Sequence, residues 1–295
     1  MNDALADHLT RLFQLVMETL RRGGPEFKAV VSCNPKGHLS RRFDLAVEKA
    51  IISYWEKTVD IPVILLSEES GERLIGRGRP RYRVILDPID GSENVARDIP
   101  LAGMAVAVVP ADRPLSIDSV EYALIGDIWR GEAILARKGQ GATYRGTTLR
   151  TSWVTAIERA LISCELNHSL VPPSLSLVFQ RAAGVRCFGC ATAALRMVAT
   201  GVMEAHLDLR GRLTAENFLA PARLILEAGG VVTDEKGRAL PEIPDLQTGY
   251  TLVASANRKL HDTLIEILSL TDHVHQEVDD EQRQTLGQGR DLGCR

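Results

Sequence analysis

An α/β fold class is predicted by three features of the 295-residue sequence. Strand-like and helix-like segments alternate through the second half, short β-branched runs fill the middle of the first half, and the chain opens on an apolar stripe of helical period. Hydrophobic residues make up 45% of the chain and charged residues 25%, enough to bury one large core or two packed subdomains.

At the N-terminus, Leu5, Leu9, Leu12, Phe13, Val16 and Leu20 share one face at helical spacing, with Asn2 or Asp3 placed to cap the helix and Gly23-Gly24 to stop it. A second helix is expected from about Asp44 to Lys57, where Val47, Ile51 and Tyr54 share a stripe. "IPVILL" then reads as a short buried strand ending on "SEES". "YRVIL", "GMAVAVV", "EYALIGDIW" and "GEAILARK" follow as strands, the last two joined by a turn near Arg130-Gly131, and predict a sheet of mixed or antiparallel character.

From about residue 155 the pattern changes. "ALISCEL", "VRCFG", "MEAHLDL", "GVVTD" and "TLVASA" read as strands, interleaved with the helices "LSLVFQRAA", "TAALRMVAT", "FLAPARLILEA" and "KLHDTLIEIL". The change places a boundary between an N-terminal half over 1–154 and a C-terminal half over 155–270. Residues 271–295 have few large apolar side chains and no periodicity, as expected of a flexible tail. His273 and His275 lie there with nothing nearby to complete a metal-ligand set.

Charge and composition exclude several classes. The formal net charge is -3, and basic clusters such as "RGRPRYR" are short and lack aromatic interleaving, so no nucleic-acid partner is expected. No apolar run approaches the ~20 residues of a membrane span, and acids at Asp3 and Asp7 do not suit a leader; a cytoplasmic location is expected. The five cysteines, Cys33, Cys164, Cys187, Cys190 and Cys294, are odd in number and irregular in spacing, which fits a reducing compartment. Cys187 and Cys190 have thioredoxin-like spacing, but at a strand-to-helix junction they read first as buried small residues.

The stretch "VILDPIDGSEN" carries the chemistry. Asp87 and Asp90 are expected to leave the end of a buried strand, with Pro88 stiffening the turn between them and Gly91 letting the next backbone approach a ligand. Carboxylates held that close share a proton or bind a cation. Glu68 and Glu69 bring two more acids to the same sheet edge and favour the cation; oxygen-only donors select a hard divalent ion, Mg²⁺ above all. Either motif alone also reads as an ordinary turn or solvated loop.

"LSEES", "ILDPIDGSEN" and "LILEAGGVVTD", in that order, resemble the inositol monophosphatase family of Mg²⁺-dependent, lithium-sensitive phosphatases. "GHLSRRFDLAVEKAI", "ARKGQGATYRG" and "TAALRMVATG" extend the resemblance over roughly residues 30 to 260. "GHLSRRFD" and "LDLRGRL" look most like the archaeal-type branch, which acts on inositol monophosphate and fructose 1,6-bisphosphate. The resemblance implies a layered α-β-α-β-α sandwich, two or three Mg²⁺ ions per site, a small phosphorylated sugar or polyol as substrate, and a homodimer. It implies that Glu68, Asp87 and the Ile89 carbonyl hold a first ion, and that Asp87, Asp90 and the residue at Asn217 hold a second. Glu68 and the Ser92 hydroxyl would orient a metal-bound water, with Asp44 accepting from that hydroxyl. Gly91 and Ser92 would hold phosphate oxygens. Ala191 and Thr192 fall at the substrate pocket. Asp208 and Arg210 would contact substrate hydroxyls or a second phosphate, or form a surface ion pair.

The sequence departs from the family at Asn217, where an aspartate ligand is usual. An amide oxygen coordinates Mg²⁺ without bringing charge, so the second ion should be held more weakly. Asn217 also suits an N-cap, and Glu216 next door is an alternative ligand. Ala191 stands where a glycine is common, and Pro221 removes a backbone donor early in the following helix. A catalytically impaired relative that binds a phosphometabolite or a partner protein is the competing expectation. A nucleotide phosphatase acting on 3′-phosphoadenosine phosphate is a third.

Overall fold

The computed structural model describes residues 4–34, 39–169 and 171–270. Helix α1 (Ala4–Arg22) buries Leu5, Leu9, Leu12, Phe13 and Val16, the stripe its sequence spells out. A hairpin of β1 (Val30–Cys33) and β2 (Leu39–Arg41) leads into α2 (Arg42–Thr58). There follow β3 (Val63–Ser67), β4 (Gly71–Ile75), β5 (Tyr82–Asp90), the short α3 (Ser92–Ala96), β6 (Gly103–Pro110), β7 (Tyr122–Asp127), β8 (Glu132–Arg137), β9 (Gly141–Tyr144) and β10 (Thr147–Thr148). Eight of these strands form one sheet in the order β10-β9-β8-β7-β6-β5-β3-β4, antiparallel except where β3 lies parallel to β5.

The second half contributes β11 (Leu161–Cys164), α4 (Pro173–Arg181), β12 (Gly184–Arg186), α5 (Ala191–Ala199), β13 (Ala205–Leu213), α6 (Ala215–Glu227), β14 (Val231–Thr233), β15 (Tyr250–Ser255) and a helix α7 over 258–270. Its five strands are ordered β12-β11-β13-β15-β14.

Strand alternation sorts the side chains into layers. Val84, Leu86, Met104, Val106 and Leu124 face α1 and α2, while Ile85, Ala105, Ala107, Ala123 and Ile125 face α5 and α6. Leu252 and Ala254 of β15 meet α5 and α6 from the other side, and Val253 turns outward with Ile162 and Leu207 toward α4 and α7. The result is the α-β-α-β-α sandwich. Buried on both faces, α6 is apolar nearly all round: Phe218, Leu219, Ala220, Ala222, Leu224 and Ile225 are each fully buried.

Three local expectations are corrected. "DPID" is not a turn beyond the strand: β5 runs to Asp90, and its ladder with β6 breaks between Asp87 and Asp90, where Pro88 has no N–H to donate. Helix α6 begins at Ala215 with Thr214 at its N-cap, so Asn217 sits inside the first turn and is not the cap; Pro221 accordingly falls in the helix interior. Only Gly184–Arg186 of the "VRCFG" region is strand. Residues 271–295, with His273, His275 and Cys294, and the caps Asn2 and Asp3 lie outside the described residues.

Candidate active site

Parallel pairing of β3 with β5 sets Ser67 opposite Leu86, so Glu68 leaves β3 at the level where Asp87 stands on β5. Both line a cleft of about 390 Å³, together with Ile89, Asp90, Gly91, Ser92, Ala191, Arg210 and Asn217. The elements meeting there are the β3 and β5 ends of the large sheet, the N-termini of α5 and α6, and the β11 and β13 ends of the small sheet. A hollow of about 540 Å³ lies at the other end of β5, around Arg79, Arg81, Tyr82 and Pro110; no expected site residue lines it.

Asp44, Thr192 and Asp208 do not line the cleft and act on it only through neighbours. Asp44 is the third residue of α2, buried, and receives the Arg41 backbone N–H at 2.8 Å as an N-terminal capping contact. Its other oxygen accepts from Ser92 Oγ at 2.8 Å, and Ser92 Oγ also lies 2.9 Å from the Ile89 carbonyl. Burial pushes the Asp44 carboxyl up to about 7, against the lowering effect of those two hydrogen bonds. Gly91, which precedes Ser92, has φ 88°; a Cβ there would stand 3.1 Å from the Leu101 carbonyl and 3.2 Å from Cys190 Cβ.

On the opposite wall, Thr192 donates its backbone N–H from the start of α5 to Asp90 Oδ2 at 2.5 Å. Burial nevertheless raises the Asp90 carboxyl above its usual range. Asp208 is fully buried, and Arg210 grips both its oxygens, Nε at 2.9 Å and Nη2 at 2.6 Å. This pair is therefore no surface ion pair, and Asp208 has no oxygen directed at a substrate. The register of β13 against β15 breaks between Asp208 and Leu213, which brings Arg210 and Arg212 to the cleft. Cys190 is buried, with its thiol pushed well up by burial and by Asp90, whereas Cys187 is exposed, contrary to the expectation for that pair. Both are free thiols.

Sequence reading missed Glu165, His168, Arg212 and Asn34. Glu165 follows β11 as Glu68 follows β3, so an acid at a strand end was the available signal. It is buried beside the cleft, and burial pushes its carboxyl up to about 7. Asn34 donates to Glu68 Oε1 at 3.0 Å, and Ser40 donates to Glu69 at 2.5 Å. Glu216 is buried, accepts from Thr214 Oγ1 at 2.6 Å and does not line the cleft, so it does not replace Asn217 there.

Glu68, Asp87 and the Ile89 carbonyl are hard oxygen donors on adjacent strand ends, and they fit one Mg²⁺ in chemistry. Among the described residues, no three His, Cys, Asp or Glu side chains stand at metal-ligating spacing. Their oxygens are held by protein donors instead, Glu68 by Asn34, Asp87 by the Ile89 N–H at 2.9 Å, and Asp90 by Thr192. The donors expected for a second ion do not fit. Asn217 turns its amide nitrogen, not its oxygen, toward Asp87 Oδ2 at 2.6 Å.

Residues 4–272 match the model of the inositol monophosphatase family. The chain is 28% identical over 259 residues to the bifunctional NADP phosphatase/NAD kinase of Methanococcus maripaludis, a match spanning 83% of this chain and only 45% of that relative. It is 27% identical over 248 residues to the fructose-1,6-bisphosphatase/inositol-1-monophosphatase of Methanothermobacter thermautotrophicus, spanning 82% of this chain and 87% of that one. In fold it is similar to the extragenic suppressor protein suhB of Bartonella henselae, with a TM-score of 0.75 at 24% identity over 91% of this chain and 99% of that one.

Proposed function

Because the chain belongs to the inositol monophosphatase family, hydrolases of phosphoric monoesters, we propose that it is a Mg²⁺-dependent phosphomonoesterase acting on a small sugar or polyol phosphate. The observation that carries this reading is the Ser92 hydroxyl, held between Asp44 and the Ile89 carbonyl on the wall that also bears Glu68 and Asp87. Glu68, Asp87 and the Ile89 carbonyl would hold the ion. Bound there, Mg²⁺ would supply a water of lowered pKa and neutralise phosphoryl charge. Ser92 positions the nucleophilic water: while its proton points to Asp44, its lone pairs accept a hydrogen from that water. Asp44, with a carboxyl near 7, is suited to take up the displaced proton. Gly91, Ala191 and Arg210 border the space for the ester.

Homodimerisation and a cytoplasmic location belong to the same reading. No helix among the described residues is long and apolar enough to cross a membrane. The bond from Asn217 to Asp87 favours a second reading, an impaired relative that binds a phosphometabolite without turning it over. A panel of esters, including inositol monophosphate, fructose 1,6-bisphosphate, 3′-phosphoadenosine phosphate and NADP, assayed for phosphate release over a range of Mg²⁺ concentrations separates the two. Release from a sugar or polyol phosphate that chelation abolishes is expected. Ligand-induced thermal stabilisation without release from any ester would leave only the binder.

A further inference from the structure

We infer that the Asn217 amide occupies the place of a cation beside Asp87, so that this centre works with one divalent ion fewer than the acid-lined site its family membership suggests. The inference rests on the phosphatase reading and deepens it. Asn217 is the third residue of α6 and points back across the cleft to β5. Its orientation is set at the Asp87 end. Nδ2 donates to Asp87 Oδ2 at 2.6 Å, while the Thr214 hydroxyl, 3.2 Å from Oδ1, directs its proton to Glu216 at 2.6 Å. Turning the amide over would bring its oxygen against the Asp87 carboxylate, two acceptors with no proton between them.

Asp87 Oδ1 accepts the Ile89 N–H, so each of its oxygens already has a protein donor. An N–H bond to a carboxylate is stronger than a bond between neutral groups, and a second ion held at this carboxylate would have to displace it. An aspartate in place of Asn217 would set two carboxylates within hydrogen-bonding distance, tolerable only with a shared proton or a cation between them. Asparagine removes that demand and leaves the apo site closed on itself. The amide thereby supplies the positive end of a dipole toward Asp87, but no open coordination position.

Counting ions tests this directly. Mn²⁺ bound per chain, measured by equilibrium dialysis, and melting temperature with and without chelator are compared for the unchanged chain, Asn217→Asp and Asn217→Ala. Asn217→Asp should bind one more ion per chain, melt lower in chelator, and regain more stability on adding Mn²⁺ than the unchanged chain does. Asn217→Ala should bind as many ions as the unchanged chain. Equal counts for the unchanged chain and Asn217→Asp would overturn the inference, and so would loss of an ion in Asn217→Ala, since Asn217 would then be a ligand. Should Asn217→Asp fail to fold, the alanine variant still decides. Phosphate release by the unchanged chain is scored separately, so the phosphatase reading can fail or stand whatever the ion count.

Discussion

Ser92 has one hydroxyl proton and two acceptors within reach, Asp44 at 2.8 Å and the Ile89 carbonyl at 2.9 Å. Removing the hydroxyl leaves Asp44 its backbone partner at Arg41, so the fold should tolerate the change while the aim of the water is lost. Ser92→Ala is expected to lower turnover by ~10- to 100-fold, near or below the ~10² expected for general acid–base contributions, with KM changed much less; steady-state phosphate release would show it. Gly91 is a separate case. Its φ of 88° belongs to the left-handed region, and an added Cβ meets backbone at 3.1 Å. Gly91→Ala should cost about 1–2 kcal/mol of stability by denaturant unfolding and also displace Ser92, so stability and turnover fall together.

At the scale of elements, α6 is the hub. It packs between both sheets and delivers Asn217 to the cleft from its first turn. Phe218, fully buried, meets Tyr250 of β15 edge-to-face with ring centroids 5.5 Å apart, tying the helix to the small sheet. Phe218→Ala should destabilise by ~3–5 kcal/mol through lost burial and a residual cavity. Because the residue before Phe218 is Asn217, which lines the cleft, loosening this anchor should also weaken substrate binding. Urea unfolding and KM report the two effects. At its other end, α6 places Glu227 to accept the N–H groups of Gly139 at 2.8 Å and Gly141 at 2.9 Å. Those contacts give "KGQGA" and "LEAGG" a shared structural purpose.

For the whole molecule, two buried imidazoles oppose folding as the pH falls. His206 bonds Ser163 at 2.9 Å, and His261 bonds Thr233 at 2.9 Å and Ser255 at 3.1 Å; burial lowers each to about 4. With folded values below the unfolded ~6.5, the unfolded chain binds more protons between those limits. Their contribution is therefore fully present above ~6.5 and is lost as pH falls toward about 4, at a cost on the order of 2–3 kcal/mol for each. The raised Asp44 and Glu165 carboxyls act with the opposite sign over the same window, so the histidines are read as a difference: melting temperature should fall more steeply, or rise less, on acidification in the unchanged chain than in His261→Gln. An equal pH dependence in that variant would remove His261 from the account.

Local pattern was enough for much of this protein. The α1 stripe, the strands around "GMAVAVV" and the acids ending "IPVILLSEE" and "VILDPID" were legible because burial of one face and charge at a strand end are written in consecutive residues. The hairpin β1–β2 was not, since its Val30–Cys33 strand is exposed throughout and carries no alternation. Nor could sequence bring Glu165 and Arg212 to the cleft, for they reach it from a second sheet and through a break in the β13–β15 register. Asn217 marks the division most sharply. Its identity announced a departure from the family, but whether its oxygen or its nitrogen faces the sheet depends on Asp87, 130 residues away in the chain. An amide is donor and acceptor at once, and only the groups packed around it decide which end it presents.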